Sequence, residues 1–169
     1  STLANQNYAT ATDSFNTAVG HSAGSAVTTG QYNTILGGDA GDALTTGNSN
    51  VAIGYFALST EDAHGLNVAV GSRALGNQNA GTDAYNVAVG ADAGLSVTTG
   101  VQNVLLGGLA GDALTDADAN VALGYAALSS DTLGSKSVAI GTGALFTQNF
   151  TTATNAYNVA VGDSAGNAV

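Results

Sequence analysis

The stretch Asn86-Val87-Ala88-Val89-Gly90-Ala91-Asp92-Ala93-Gly94 decides the fold because it is not alone. Its pattern, Asn-x-Ala-(Val/Ile/Leu)-Gly-x-x-Ala-(Gly/Leu), also begins at Asn16, Asn33, Asn50, Asn67, Asn103, Asn120, Ser137 and Asn158. The motif glycines are Gly20, Gly37, Gly54, Gly71, Gly90, Gly107, Gly124, Gly141 and Gly162, and their successive positions differ by 17, 17, 17, 19, 17, 17, 17 and 21. A short fixed period of this kind is the signature of a repeat architecture, in which each unit buries its apolar surface on its neighbours.

A longer period overlies the short one. The step from Gly20 to Gly90 recurs unchanged from Gly37 to Gly107, from Gly54 to Gly124 and from Gly71 to Gly141. Within each set the first two motifs end in Ala-Gly and the next two in Ala-Leu. The longer connections Gly76–Tyr85 and Phe146–Tyr157 close the sets, each with Gln-Asn near its start and Tyr-Asn at its end. The chain therefore reads as a single segment, 1–169, with super-repeats at about 16–85 and 86–157 and partial coils at both ends. Gly166-Asn167-Ala168-Val169 matches Gly24-Ser25-Ala26-Val27, so the expectation is a window on a longer fibre.

Each motif holds one short strand. Alternate side chains of a strand point to opposite faces, so Val87 and Val89 share one face and Ala88 takes the other. Both faces are apolar, which points to a strand buried on both sides. A coil of so short a period, punctuated by Gly and Asn, cannot hold a strand plus a proper helix. These features predict an all-β parallel β-solenoid of about nine to ten coils. The branched residues Val19, Leu36, Ile53, Val70, Val89, Leu106, Leu123, Ile140 and Val161 are expected to stack inside it, with Ala23 through Ala165 as a second internal column. The alanine face (Ala18, Ala52, Ala69, Ala88, Ala122, Ala139 and Ala160) is expected to meet partner chains.

Composition narrows the function. Two basic residues against twelve acidic ones give a net charge of −10, which leaves no basic footprint for nucleic acid. There is no cysteine, hence no disulfide scaffold and no thiolate metal site. No run approaches the ~18 apolar residues of a membrane-spanning helix, so membrane insertion is not expected. At 44% hydrophobic, the chain is too apolar for an acidic disordered tail.

The series Asn-Val-Ala-Val-Gly, and Ser137-Val138-Ala139-Ile140-Gly141 above all, resembles the repeats in the heads of trimeric autotransporter adhesins. It is also similar to Asn-Thr-Ala-(Val/Ile)-Gly repeats of phage tail fibres and fibre-like bacterial surface proteins. The resemblance covers nearly the whole chain. It implies a left-handed β-roll assembled as an intertwined or side-by-side homotrimer, extracellular, on a bacterial surface or a virion tail fibre. The coils here are longer than those of the adhesin heads, so extra outward turns are expected.

Several local signals compete with this reading. Gly20-His21-Ser22-Ala23-Gly24 and Gly162-Asp163-Ser164-Ala165-Gly166 spell the nucleophile elbow of serine hydrolases. The position of Ser22, however, holds Asp39, Phe56, Arg73, Asp92, Leu109, Ala126 and Gly143 in the other coils, so no catalytic residue is assigned and no enzyme expected. Asp39-Ala40-Gly41-Asp42 and Leu109-Ala110-Gly111-Asp112 resemble calcium loops only faintly and lack the repeat-type calcium signature, so no metal and no cofactor are assigned. Thr28-Thr29, Thr45-Thr46 and Thr98-Thr99 raise an ice-binding array, broken by Glu61-Asp62 and Ser130-Asp131. Tyr55 and Tyr125 read as packing plugs or as an aromatic platform for a sugar.

The leading expectation is a structural and adhesive segment of a trimeric fibre that mediates or presents attachment to a host cell or surface. A glycan- or receptor-binding tip is the alternative; an ice binder or a tailspike glycosidase ranks below both. Insertions in solenoids map to loops on one face, often the binding face. The expected contact residues are therefore Asn77, Gln78, Asn79, Thr82 and Tyr85 in the first long loop, and Phe146, Gln148, Asn149, Phe150 and Tyr157 in the second.

Overall fold

The computed structural model describes residues 2–167, so Ala168 and Val169 of the last matched turn lie outside the described residues. Its elements are β1 (Thr17–Val19), β2 (Thr34–Leu36), β3 (Val51–Ile53), β4 (Val68–Val70), β5 (Val87–Val89), β6 (Val104–Leu106), β7 (Val121–Leu123), β8 (Gly134–Ser135), β9 (Val138–Ile140), β10 (Thr154–Asn155) and β11 (Val159–Val161). Nine of them form one parallel sheet in the order β1-β2-β3-β4-β5-β6-β7-β9-β11. The register repeats from coil to coil: Val87 faces Val104, Ala88 faces Leu105 and Val89 faces Leu106. This is a parallel β-solenoid with one rung per motif. The turns stack as well, through bonds such as Gly24 N–H to Ala40 C=O (3.0 Å) and Gly94 N–H to Ala110 C=O (3.0 Å).

The motif asparagine is the spine. The backbone N–H of Asn103 donates to Asn86 Oδ1 (2.8 Å), Asn120 N–H to Asn103 Oδ1 (3.0 Å) and Ser137 N–H to Asn120 Oδ1 (2.9 Å). Each amide also reaches across its own coil, with Asn103 Nδ2 donating to Ala117 C=O (2.7 Å) and Asn120 Nδ2 to Gly134 C=O (2.9 Å). One short side chain thus closes its coil and binds the next, and the buried Asn33, Asn50, Asn67, Asn86, Asn103 and Asn120 carry this ladder. Asn67 is the exception, because its Nδ2 is buried without a partner. Its coil is lengthened by the insertion between Gly71 and Gly90, which carries the acceptor out of reach.

The two strand faces are the reverse of the expectation. Ala52, Ala69, Ala88, Ala122 and Ala139 are wholly buried, Ala160 nearly so, and Ala18 packs against the same core. They point into the coil of their own chain and not toward partner chains. The branched residues expected inside point out: Val19, Leu36, Val89, Leu123 and Val161 are exposed, and Ile53, Val70, Leu106 and Ile140 are half-buried. The reason is space. The turns already send Leu44, Leu58, Leu75, Leu114, Leu128 and Leu145 inward, and the strand supplies the facing residue. The second internal column, Ala23, Ala40, Ala57, Ala74, Ala93, Ala110, Ala127 and Ala144, is buried as expected, and its last member, Ala165, is half-buried.

The alternation of Ala-Gly and Ala-Leu endings is volume compensation. Where the inward strand residue is Ala52, Ala69, Ala122 or Ala139, the motif ends in Leu58, Leu75, Leu128 or Leu145. Where it is Ile35 or Leu105, the motif ends in Gly41 or Gly111. Ala18, Ala88 and Ala160 are also followed by glycine, because a large side chain of the neighbouring coil takes the space: a Cβ on Gly24, Gly94 or Gly166 would lie 2.8 Å from Ile35 Cδ1, 2.7 Å from Leu105 Cδ1 or 2.7 Å from Leu145 Cδ2. A Cβ on Gly111 would lie 2.8 Å from Leu105 Cδ2 and 2.8 Å from Leu114 Cδ1. Close packing tolerates no such overlap. The leucines at this position take up left-handed backbone, as Leu58 (φ 51°) and Leu128 (φ 57°) do. That conformation costs about 1–2 kcal/mol, which burial of the side chain offsets.

Candidate functional site

The outer face of the nine-stranded sheet is the largest unpartnered feature. Two residues of each strand face outward, eighteen in all, and sixteen are Val, Ile or Leu; Thr17 and Thr34 are the others. None is charged. Nine rungs at ~4.8 Å give a stripe about 38 Å long. A column one residue ahead of the asparagine ladder runs beside it and includes Phe15, Tyr32, Leu66, Tyr85 and Tyr157, all exposed. Its members occupy a left-handed corner, from Phe15 (φ 52°) to Leu66 (φ 64°), which turns the chain into the strand. Phe15 stacks on Tyr32 with ring centroids 5.5 Å apart, and Lys136 lies 5.4 Å from the centroid of Tyr157. Tyr55 and Tyr125 follow the strands on the other side, each packed over a glycine of the preceding coil, Gly38 or Gly108.

The long loops are held down. A buried carboxylate from the preceding coil receives each one. Glu61 Oε2 accepts from Ala80 N–H (3.2 Å), and Asp131 Oδ1 accepts from Phe150 N–H (2.9 Å). The second loop also pairs β10 with β8 in parallel register, Thr154 opposite Gly134. Gln78 and Gln148, expected to contact a ligand, are instead interior: both are buried, and their Oε1 atoms accept from Asn86 Nδ2 (2.6 Å) and Asn158 Nδ2 (2.7 Å). They occupy a core column shared with Val27, Leu44, Val97 and Leu114, so they position the loops and cannot meet a ligand. Asn77, Asn79, Thr82 and Tyr85 are exposed on the first loop, and Phe146, Asn149 and Tyr157 on the second, with Phe150 half-buried. The loops branch from the same coil position four rungs apart, ~19 Å along the axis. Among the described residues no pocket is present.

The serine elbow has no catalytic geometry. Ser22 Oγ lies 3.2 Å from His21 Nδ1, and Asp39 Oδ1 lies 3.4 Å from that same nitrogen. A proton relay needs the acid and the nucleophile on opposite imidazole nitrogens, and His21 is 81% exposed. The threonine array is likewise committed elsewhere. Thr28, Thr45 and Thr98 donate their hydroxyls to the C=O of Thr45, Asp62 and Thr115 in the next coil, and Thr99 donates to Asp116 Oδ1.

A cluster that the sequence reading passed over lies at the turn 61–64. Glu61, Asp62 and His64 each place a ligand-type atom within 4.8 Å of the other two. Glu61 is fully buried, and burial pushes its carboxyl above the ordinary value against the opposing pull of the His64 and Ala80 amides. Asp62 is exposed and His64 half-buried. The sequence signal was the departure of Glu61-Asp62-Ala63-His64 from the Leu-Thr-Thr-Gly of the preceding coil.

Against known proteins, no family model, no curated sequence and no solved structure matches the chain.

Proposed function

We propose that this chain is a non-enzymatic structural and adhesive segment of a fibre, in which three copies pack about a common axis as left-handed β-rolls. The observation that carries the reading is the outer sheet face, with sixteen branched aliphatic side chains in a continuous, uncharged stripe. At ~38 Å by roughly 10 Å, the stripe is about 400 Å² in plan, the size of the largest apolar patch on a typical monomer, which is often an interaction site. A stable interface needs about 800 Å² per partner, and the flanking aromatic column brings the face toward that size. The number three comes from the resemblance to trimeric adhesin heads. The contact assigned at first to the alanine face passes to the branched face, since the alanines are consumed inside the coil.

Such a fibre belongs outside the cell, on a bacterial surface or a virion tail. The exposed loop residues Asn77, Asn79, Thr82, Tyr85, Phe146, Asn149 and Tyr157 favour weak, repeated contact with a glycan or receptor. Copies in register let avidity compensate for low single-site affinity. The test is solution mass. Multi-angle light scattering of the wild type should return three times the chain mass of 16.3 kDa, and Val70→Lys with Leu106→Lys should return a folded monomer. A wild type that stays monomeric at micromolar concentration refutes the assembly. An unaltered trimer in the lysine variant refutes the branched face as its interface.

A further inference from the structure

We infer that Glu61, Asp62 and His64 form a binding site for one divalent transition-metal ion, in which the two carboxylates and the imidazole are the protein ligands. Three observations meet here. Their donor atoms lie within 4.8 Å of one another, close enough to share an ion with small side-chain adjustment. His64 Nδ1 is buried with no hydrogen-bond partner, 3.6 Å from Glu61 Oε1. Two ligands of a tetrahedral Zn²⁺ at ~2.0–2.1 Å are separated by about that distance. The turn is also rigid: His64 N–H donates to Glu61 Oε1 (3.1 Å), its C=O accepts from Asn50 Nδ2 (3.2 Å), and Asp62 C=O accepts from Thr45 Oγ1 (2.8 Å).

The second super-repeat is an internal comparison. The same turn there holds Asp131, Thr132 and Gly134, with no imidazole. Its buried carboxylate takes a third donor from within the chain, Gln148 Nε2, 2.5 Å from Asp131 Oδ2. In the first super-repeat Gln78 Nε2 turns instead to Thr98 C=O (3.1 Å), and Glu61 keeps only the two amide donors. Glu61 Oε1 lies 3.6 Å from the unpartnered His64 nitrogen. A mixed carboxylate–imidazole set suits Zn²⁺, Ni²⁺, Co²⁺ or Cu²⁺ and not Ca²⁺ or Mg²⁺, which take oxygen alone. The net charge of −10 draws cations to the surface. A metal here would clamp the coil that receives the first long loop.

The repeat itself supplies variants that its turns accommodate. His64→Gly copies Gly134, and Asp62→Thr copies Thr45 and Thr132. Titration of the intact chain with Zn²⁺ by calorimetry, and with Co²⁺ by visible absorption, should give one saturable site with tetrahedral cobalt bands. Zn²⁺ should also raise the melting temperature. His64→Gly should abolish the bands and the thermal shift, and Asp62→Thr should weaken both. His21→Ala, which removes the other histidine, should leave them intact. No saturable binding by the wild type, or equal binding by His64→Gly, overturns the site. Loss in His21→Ala with retention in His64→Gly places the metal elsewhere and overturns it too.

Discussion

Replacing Asn103 with Ala tests the spine of the solenoid, and Asn67 is its built-in control. Asn103 Oδ1 accepts the N–H of Asn120 at 3.0 Å, and its Nδ2 donates to the C=O of Ala117 at 2.7 Å. Asn120 and Ala117 are both fully buried, so water cannot replace the lost partners. Each orphaned group costs about 1–3 kcal/mol, and two of them give roughly 4 kcal/mol. For a chain of this length that loss lowers the melting temperature by about 8–16 °C. Asn67 accepts from Asn86 N–H at 3.2 Å, but its Nδ2 is already without a partner. Asn67→Ala therefore orphans one group and removes another, and the two changes nearly cancel. Urea unfolding followed by circular dichroism should place the two variants at least ~2 kcal/mol apart, with Asn103→Ala the weaker. Equal losses, or an Asn103→Ala loss under ~1 kcal/mol, would refute the ladder as the element that binds coil to coil.

Further outcomes follow from the same geometry. Gly107 has φ 132°, and a Cβ there would lie 2.5 Å from the Gly124 carbonyl oxygen, so Gly107→Ala should cost more than the ~1–3 kcal/mol of backbone strain alone and lower the melting temperature sharply. Leu105→Ala empties a fully buried site and should cost ~2–5 kcal/mol. Gly111→Leu should overpack the same coil when made alone. The double variant restores the Ala-with-Leu pairing of Ala122 and Leu128, and a double-mutant cycle by denaturant unfolding should show it more stable than the sum by ~1–3 kcal/mol. Asp42 and Asp112 have carboxyls raised above the ordinary value, by burial first and by neighbouring Asp39 or Asp92 second. A raised acid binds its proton more tightly folded than unfolded, so its ionisation costs stability as pH rises above the unfolded value of about 3.8. Asp42→Asn and Asp112→Asn should melt higher than wild type at pH 7, and the gain should vanish near pH 3.5.

The fold was legible because its period is written in single residues. The glycine spacing gave the rungs, and the Asn-x-Ala-x-Gly core gave their parallel register. Which face of the strand turned inward was not legible. Ala88 flanked by Val87 and Val89 satisfies alternation either way, and the deciding fact is that Leu58 and Leu128 of other turns already occupy the interior. Those leucines lie beyond their strands on left-handed corners, a conformation that sequence alone rarely assigns to Leu. Gln78 and Gln148 misled for a related reason. Polar residues in a loop rich in Asn and Thr read as surface, yet both sit in the column of Val27 and Leu44, satisfied by the asparagine ladder. Tyr85 and Tyr157, whose place at the loop ends reads as an anchor pinning each loop, are instead exposed, because they share the left-handed corner of Phe15, Tyr32 and Leu66 that turns the chain into the strand.

Because the chain has no cysteine, single thiols can report which strand face is inside. The decisive pair is Ala88→Cys and Val89→Cys, adjacent on β5 and on opposite faces of the sheet. Thiol labelling of the native protein, followed by mild oxidation, should leave Ala88→Cys unlabelled and uncrosslinked. Val89→Cys should form disulfides between chains in the assembled fibre and become labelled once the assembly is dissociated. Rapid labelling of Ala88→Cys in the native state, with Val89→Cys protected and uncrosslinked in assembled and dissociated samples alike, would contradict the account.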